Sequence, residues 1–264
     1  MKKRMLFCTI GVIVLLLLAV LTIVSAIAYD NSKKVSFLDE EMGYVIAYQA
    51  YQDGEIKEPE RFRQDDLETI ESINIGYTGY YTTLKDLEKC YNLEWLFIGT
   101  PKASGHDYYN ILREVPEPES EERILQLQAE IADVLQVCNK ITLLYIDNPD
   151  GVCNLESLEF LSQAQNVKIL ILNNLQEIDY MPVWQCEGLT SLDLYGCDIE
   201  NVEGISQLEN LTDVMLGNTN ISEAGDLLNL PHLEELGLKN TPLAENEEEL
   251  ALLYEAFPDI EIKK

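Results

Sequence analysis

The chain has little histidine and little positive charge. Its two histidines, His106 and His232, stand far apart in 264 residues, and neither belongs to a nucleophile motif. His106 lies close to Ser104 and Asp107, but consecutive loop residues do not form a triad, whose geometry is assembled from separate elements. Catalysis is therefore not expected. Lysine and arginine number 18 against 47 acidic residues. Lys2, Lys3 and Arg4 precede Ala28, so the other 15 face all 47 acids beyond it, a formal charge of −32. Such a surface repels phosphate and argues against nucleic acid as a partner. An anionic membrane surface is equally unattractive. Acidity of this kind serves solubility and spacing from an anionic envelope; attraction of a basic partner is the sharper alternative.

Cysteine is present but unpatterned. Beyond Cys8 there are Cys90, Cys138, Cys153, Cys186 and Cys197, an odd number with no C-x-x-C spacing. That arrangement gives no zinc or redox pair and no disulfide framework. No cofactor or metal set is expected. The run Asp147-Asn148-Pro149-Asp150-Gly151 lacks the regular carboxylate spacing and following glutamate of a calcium loop, and reads as a turn.

One long uncharged run is present: Met5 to Ala28, 24 residues. A secretory core is usually about 7–15 residues, whereas about 20 apolar residues span a bilayer. The length favours a retained signal-anchor helix, although Ala26-Ile27-Ala28 keeps a cleaved signal peptide open. Either way, the basic start stays cytosolic and the rest is exported.

The remainder is repetitive. VKILIL at 167, LTSLDL at 189, LTDVML at 211 and LEELGL at 233 recur every 22 residues. ITLLYI at 141, LEWLFI at 93 and IESINI at 70 fit the same frame, making seven turns. A fixed period of this length with apolar first, fourth and sixth places is the mark of a leucine-rich repeat. Each turn reads as a strand, a bend and a short helical or irregular return. Alternation sends the fourth and sixth residues inward, from Ile73 and Ile75 to Leu236 and Leu238. Stacked turns share one interior that no single turn could close. The spacing from 141 to 167 implies a bulge near Asn148–Asn154, and that from 93 to 141 an insertion. In the insertion Ser120 reads as an N-cap, and Ile124, Leu127, Ile131, Val134, Leu135 and Cys138 form one helical stripe. This helix is expected on the convex side. Further helices are expected after Asp39, over Asp65–Thr69, and from Glu245 to Phe257, with a last strand around Ile260 and Ile262.

These repeats, and the stretch VSFLDEEMGYVIAYQAY before them, resemble the short-repeat class of bacterial internalin-type proteins over roughly residues 35–264. The resemblance implies an α/β fold: a right-handed solenoid with a parallel sheet on its concave face and helical caps. It departs at the ninth place, often asparagine in that family but here Thr78, Pro101, Pro149, Leu175, Cys197, Thr219 and Thr241, so a continuous asparagine ladder is not expected. The organisation that follows is 1–28 signal-anchor or signal peptide, 29–69 linker and helical cap, 70–244 repeats with an insertion at 102–140, and 245–264 C-terminal cap.

Such a coil presents its outward strand positions as a binding surface. Trp95, Phe97, Leu143, Tyr145, Ile169 and Ile171 make a contiguous apolar patch, with Tyr195 nearby, Met215 in the same column, and Asp193, Asp213 and Glu235 along one flank. Exposed apolar patches of this kind mark interaction sites, and aromatic anchors with a polar rim match binding hot spots. The opposing possibility is that the Lys102–Pro118 loop folds over the patch and buries it. The expected function is a membrane-anchored extracellular module binding a protein or peptide, with basic character in the partner favoured by the acidic flank. Alternatives are a structural subunit of an envelope assembly docking through its convex helix, and a glycan binder stacking sugars on Trp95, Phe97 and Tyr145.

Overall fold

The short alternating runs become eight parallel strands, one per turn plus one more. A computed structural model describes residues 19–23, 25, 33–99 and 114–264. The strands are β1 (Ser72–Asn74), β2 (Trp95–Ile98), β3 (Leu143–Asp147), β4 (Ile169–Asn173), β5 (Ser191–Asp193), β6 (Asp213–Met215), β7 (Glu235–Gly237) and β8 (Glu261–Lys263). They form a single sheet in chain order. Equivalent repeat positions stand side by side: Leu170 opposite Leu192, Leu192 opposite Val214, Val214 opposite Leu236. The register therefore equals the sequence period. The last strand, expected around Ile260 and Ile262, pairs Ile262 with Leu236.

All inward positions from Ile73 to Leu238 are buried and belong to one continuous core. Most of the returns are short 3-10 turns, including Lys85–Lys89, Glu159–Gln163, Val183–Gln185, Ile205–Gln207 and Gly225–Asn229. Val202, Ile205, Leu208, Leu227 and Leu230 close the interior from that side.

Helix α1 (Glu40–Gln52) starts where Asp39 accepts the Met42 N–H at 2.9 Å. It buries Met42, Val45, Ile46 and Ala50 beside β1. Helix α2 (Glu121–Val137) is capped by Ser120 and packs its apolar stripe on the 3-10 turns at Lys85–Lys89 and Glu159–Gln163. It thus forms the return limb of the enlarged repeat. One stripe neighbour is not apolar. Glu130, only 3% exposed, accepts from the Leu84 N–H at 2.9 Å and Thr83 Oγ1 at 2.7 Å, and pairs with Arg123 at 3.2 Å. Periodicity gives no hint of it.

The expected C-terminal helix is α4 (Glu247–Ala256), and a short helix, α3 (Pro242–Glu245), precedes it; Asn246 leaves helical geometry between them and caps α4 by accepting the Glu249 N–H. Leu252 is exposed rather than packed.

The bends are more regular than the ninth place suggests. The eighth place carries the left-handed conformation: Asn174, Gly196, Asn218 and Asn240 all have positive φ near 56–71°. Asparagine tolerates this geometry and glycine requires no side chain to do so. A short asparagine ladder does exist there, one place before the ninth, with Asn240 Nδ2 donating to Asn218 Oδ1 at 2.8 Å. At Gly196 a Cβ would also strike Asn174 Oδ1. In the last three repeats the ninth-place side chains are buried and donate to backbone carbonyls: Cys197 Sγ to Leu172 O, Thr219 to Leu216 O and Thr241 to Leu238 O. Cys90, Cys138, Cys153, Cys186 and Cys197 are all free thiols, and burial raises Cys153 and Cys186 each to about 11.

Residues 19–23 and 25 are helical. The rest of the apolar run Met5–Ala28, and with it the expected membrane helix, lies outside the described residues. Among the described residues no helix is long and apolar enough to cross a membrane.

Candidate functional site

Parallel pairing at one-repeat register assembles the outward positions into rows that cross the sheet. One row runs Trp95, Leu143, Ile169, Ser191, Asp213, Glu235; the next runs Phe97, Tyr145, Ile171, Asp193, Met215. The first half of both rows is aromatic and aliphatic, the second half acidic. Trp95 is 49% exposed, and Phe97, Leu143, Tyr145, Ile169 and Ile171 are part-exposed. The Phe97 and Tyr145 rings lie 5.7 Å apart, tilted by 42°. Nine of the ten residues singled out in sequence thus fall in these two rows, and Tyr195, 36% exposed, lies just past the end of β5. Asn74 and Gly237, at the ends of the second row, are buried: Asn74 accepts the Gly76 N–H, and Gly237 lies under the Met215 side chain.

The third row, one alternation further on, holds a residue that sequence reading assigned only to a turn. Asp147 stands beside Asn173 on the sheet. Its two oxygens accept from Tyr145 Oη at 2.8 Å and Asn174 Nδ2 at 2.7 Å. Burial, then this bond to Asp147, pushes the Tyr145 phenol far above its usual range. The phenol therefore stays protonated and acts as a fixed donor to Asp147. The adjoining bulge is held by its own asparagines, with Asn148 Oδ1 accepting the Cys153 N–H and Asn148 Nδ2 donating to Asn154. Asp150 accepts from Tyr77 Oη.

On the acidic side, burial raises the Asp193 carboxyl above the ordinary aspartate range; the Tyr195 N–H opposes this and the Asp147 charge reinforces it. Glu235 is paired with Lys263 of β8, a cation that repeat reading passed over because it follows the last repeat. Extending the same frame one strand further would have placed it on this face.

Of the Lys102–Pro118 loop, residues 102–113 lie outside the described residues. Its described end runs along the bend after β1: Glu114 O accepts from Tyr80 Oη at 2.8 Å, and Pro116 lies against Gly79.

No protein-family model matches the chain, and no curated protein matches its sequence. Solved structures do match. Internalin C2 from Listeria monocytogenes aligns over 86% of this chain and 83% of its own, with 20% identity and a TM-score of 0.55. This is an internalin-like leucine-rich repeat fold. An internalin F structure from the same organism aligns over 86% of this chain and 69% of its own at 16% identity, TM-score 0.45. A leucine-rich repeat protein of Leptospira interrogans aligns over 76% and 62% at 16% identity, TM-score 0.43. In this internalin-like fold α2 packs on the 3-10 returns at Lys85–Lys89 and Glu159–Gln163.

Proposed function

We propose that the chain is an extracellular, membrane-anchored binding module that holds a protein or peptide segment on the outward, concave face of its sheet. The observation that carries this reading is the row of Trp95, Phe97, Leu143, Tyr145, Ile169 and Ile171, which stays part-exposed although its residues are the kind normally buried. Large apolar side chains gathered in one exposed patch favour association. The strands beneath are fixed by the repeat register, so the patch needs little ordering when a partner arrives, which lowers the cost of binding. Asp193 and Asp213 beside it favour a partner with positive charge and repel acidic competitors. Met5–Ala28 serves as the membrane tether, and α1 and the α3–α4 pair act as end caps over the first and last turns.

The test is chemical cross-linking of the full chain displayed on living cells, comparing wild type with a Trp95→Ser, Phe97→Ser double variant. Capture of a defined protein by the wild type, lost in the variant while its melting temperature stays close to that of the parent, supports the reading. Equal capture by both overturns it. A variant that no longer folds would identify the patch as core instead.

A further inference from the structure

On the outward face Asp193 stands between apolar neighbours and, among the described residues, pairs with no cation. We infer that Asp193 is the docking point for a cationic side chain of the bound segment, whose head meets the carboxylate while its aliphatic stem lies along Ile171 and Met215. This rests on the concave-face reading above and narrows it, naming the chemistry that one partner residue must have.

Three observations converge on Asp193. First, its walls suit a lysine or arginine stem. In the sheet it stands directly between Ile171 and Met215, and Tyr195 follows two residues along on the same face. Two glycines let those neighbours lean away from it: the Met215 side chain lies over Gly237 and the Tyr195 ring over Gly217. An aromatic ring beside a carboxylate also attracts a cation through its π face.

Second, Asp193 combines a single donor with apolar neighbours. Asp147 has donors on both oxygens and Glu235 is paired with Lys263; Asp213, which also accepts a single bond, from Thr212, stands between Ser191 and Glu235. Asp193 Oδ1 accepts only the Tyr195 N–H, at 2.9 Å. Among the described residues no cation pairs with it and no donor reaches its other oxygen. Its raised carboxyl agrees with a charge that is partly desolvated and uncompensated. Supplying the counter-charge removes that penalty.

Third, the chain builds the same contact once with its own residues. Lys263 on β8, opposite Gly237 in register, pairs with Glu235 on the same face. A lysine can therefore lie along this sheet and meet a carboxylate. At Asp193 none of the described residues does so, and a partner's side chain would.

The experiment uses the full chain in detergent, labelled at isoleucine δ1 and methionine ε methyls, titrated with n-butylguanidinium, n-butylammonium and the neutral isostere n-butylurea. Saturable shifts at Ile171 and Met215 are expected with the cations and not with the urea. Asp193→Asn should weaken the response about tenfold or more, equivalent to about 1.4 kcal/mol, while Asp213→Asn changes it less than about twofold. The tighter of the two cations identifies arginine or lysine as the source. The carboxyl resonance of Asp193 supplies a check that needs no variant, since its raised titration midpoint must fall when the cation saturates. Equal shifts with n-butylurea, an unchanged response in Asp193→Asn, an equal loss in Asp213→Asn, or an unmoved midpoint would each overturn the inference. No partner is involved, so such a failure leaves the concave-face reading standing. Failed partner capture with intact cation shifts would count against that reading instead.

Discussion

Glu130 shows how much a single side chain can hold in a molecule built mainly from leucine. Burial by itself would raise its carboxyl, but donors from Leu84, Thr83, Gln126 and Arg123 outweigh this and hold it below the ordinary glutamate value of 4.5. A depressed native value means stability that is fully present above the unfolded value and is lost as pH falls through the native one. Glu130→Gln should therefore lower the urea midpoint at pH 7, and the gap to wild type should close as the pH falls well below 4.5. Removing one partner of a buried ion pair costs about 3–5 kcal/mol, so Glu130→Ala should lose stability on that scale at neutral pH. A gap that stayed constant with pH would mean that the ionised carboxylate contributes nothing. Asp39, whose native value is also lowered against burial by Thr82 and Met42, adds to the same acid limb.

The elements divide into those whose periodicity is visible and those that depend on a neighbour. Helix α2 belongs to the first kind, since its stripe and its Ser120 cap can be read from the chain. Leu127 is fully buried and Leu125 is 56% exposed on the same helix. Leu127→Ala should cost about 2–5 kcal/mol in urea unfolding, and Leu125→Ala less than about 0.5 kcal/mol. Equal effects would mean that the stripe does not face the core. The C-terminal pair belongs to the second kind. Its apolar residues point to α4, but Thr241 and Asn246 cap a short α3 ahead of it that the pattern does not show, and local hydrogen bonding of this sort competes with helix continuation. The bends depend on the eighth place rather than the ninth: Asn174, Gly196, Asn218 and Asn240 supply the positive φ there, and no hydrophobic period marks them.

At the scale of the whole molecule the sheet makes a surface that no turn has alone. The two halves of the outward rows differ, one apolar and one acidic, so binding should combine salt-insensitive burial with salt-sensitive steering. Raising salt from about 0.05 to 0.5 M shortens the screening length several-fold. Partner capture should weaken across that range without vanishing, as measured by the cross-linked yield; glycan stacking on the aromatics would hardly respond. The sequence by itself determined the repeat, the strand register, the inward ladder and the column in which each candidate residue lies. It could do so because period two and period 22 act locally, and each turn restates them. Only the tertiary structure decided which outward residues remain open, that Asp147 is occupied by Tyr145 and Asn174, that Lys263 serves Glu235, and that among the described residues Asp193 has no such cation. Contacts such as Asn174 to Asp147 and Lys263 to Glu235 join side chains many residues apart, brought together only once the turns stack.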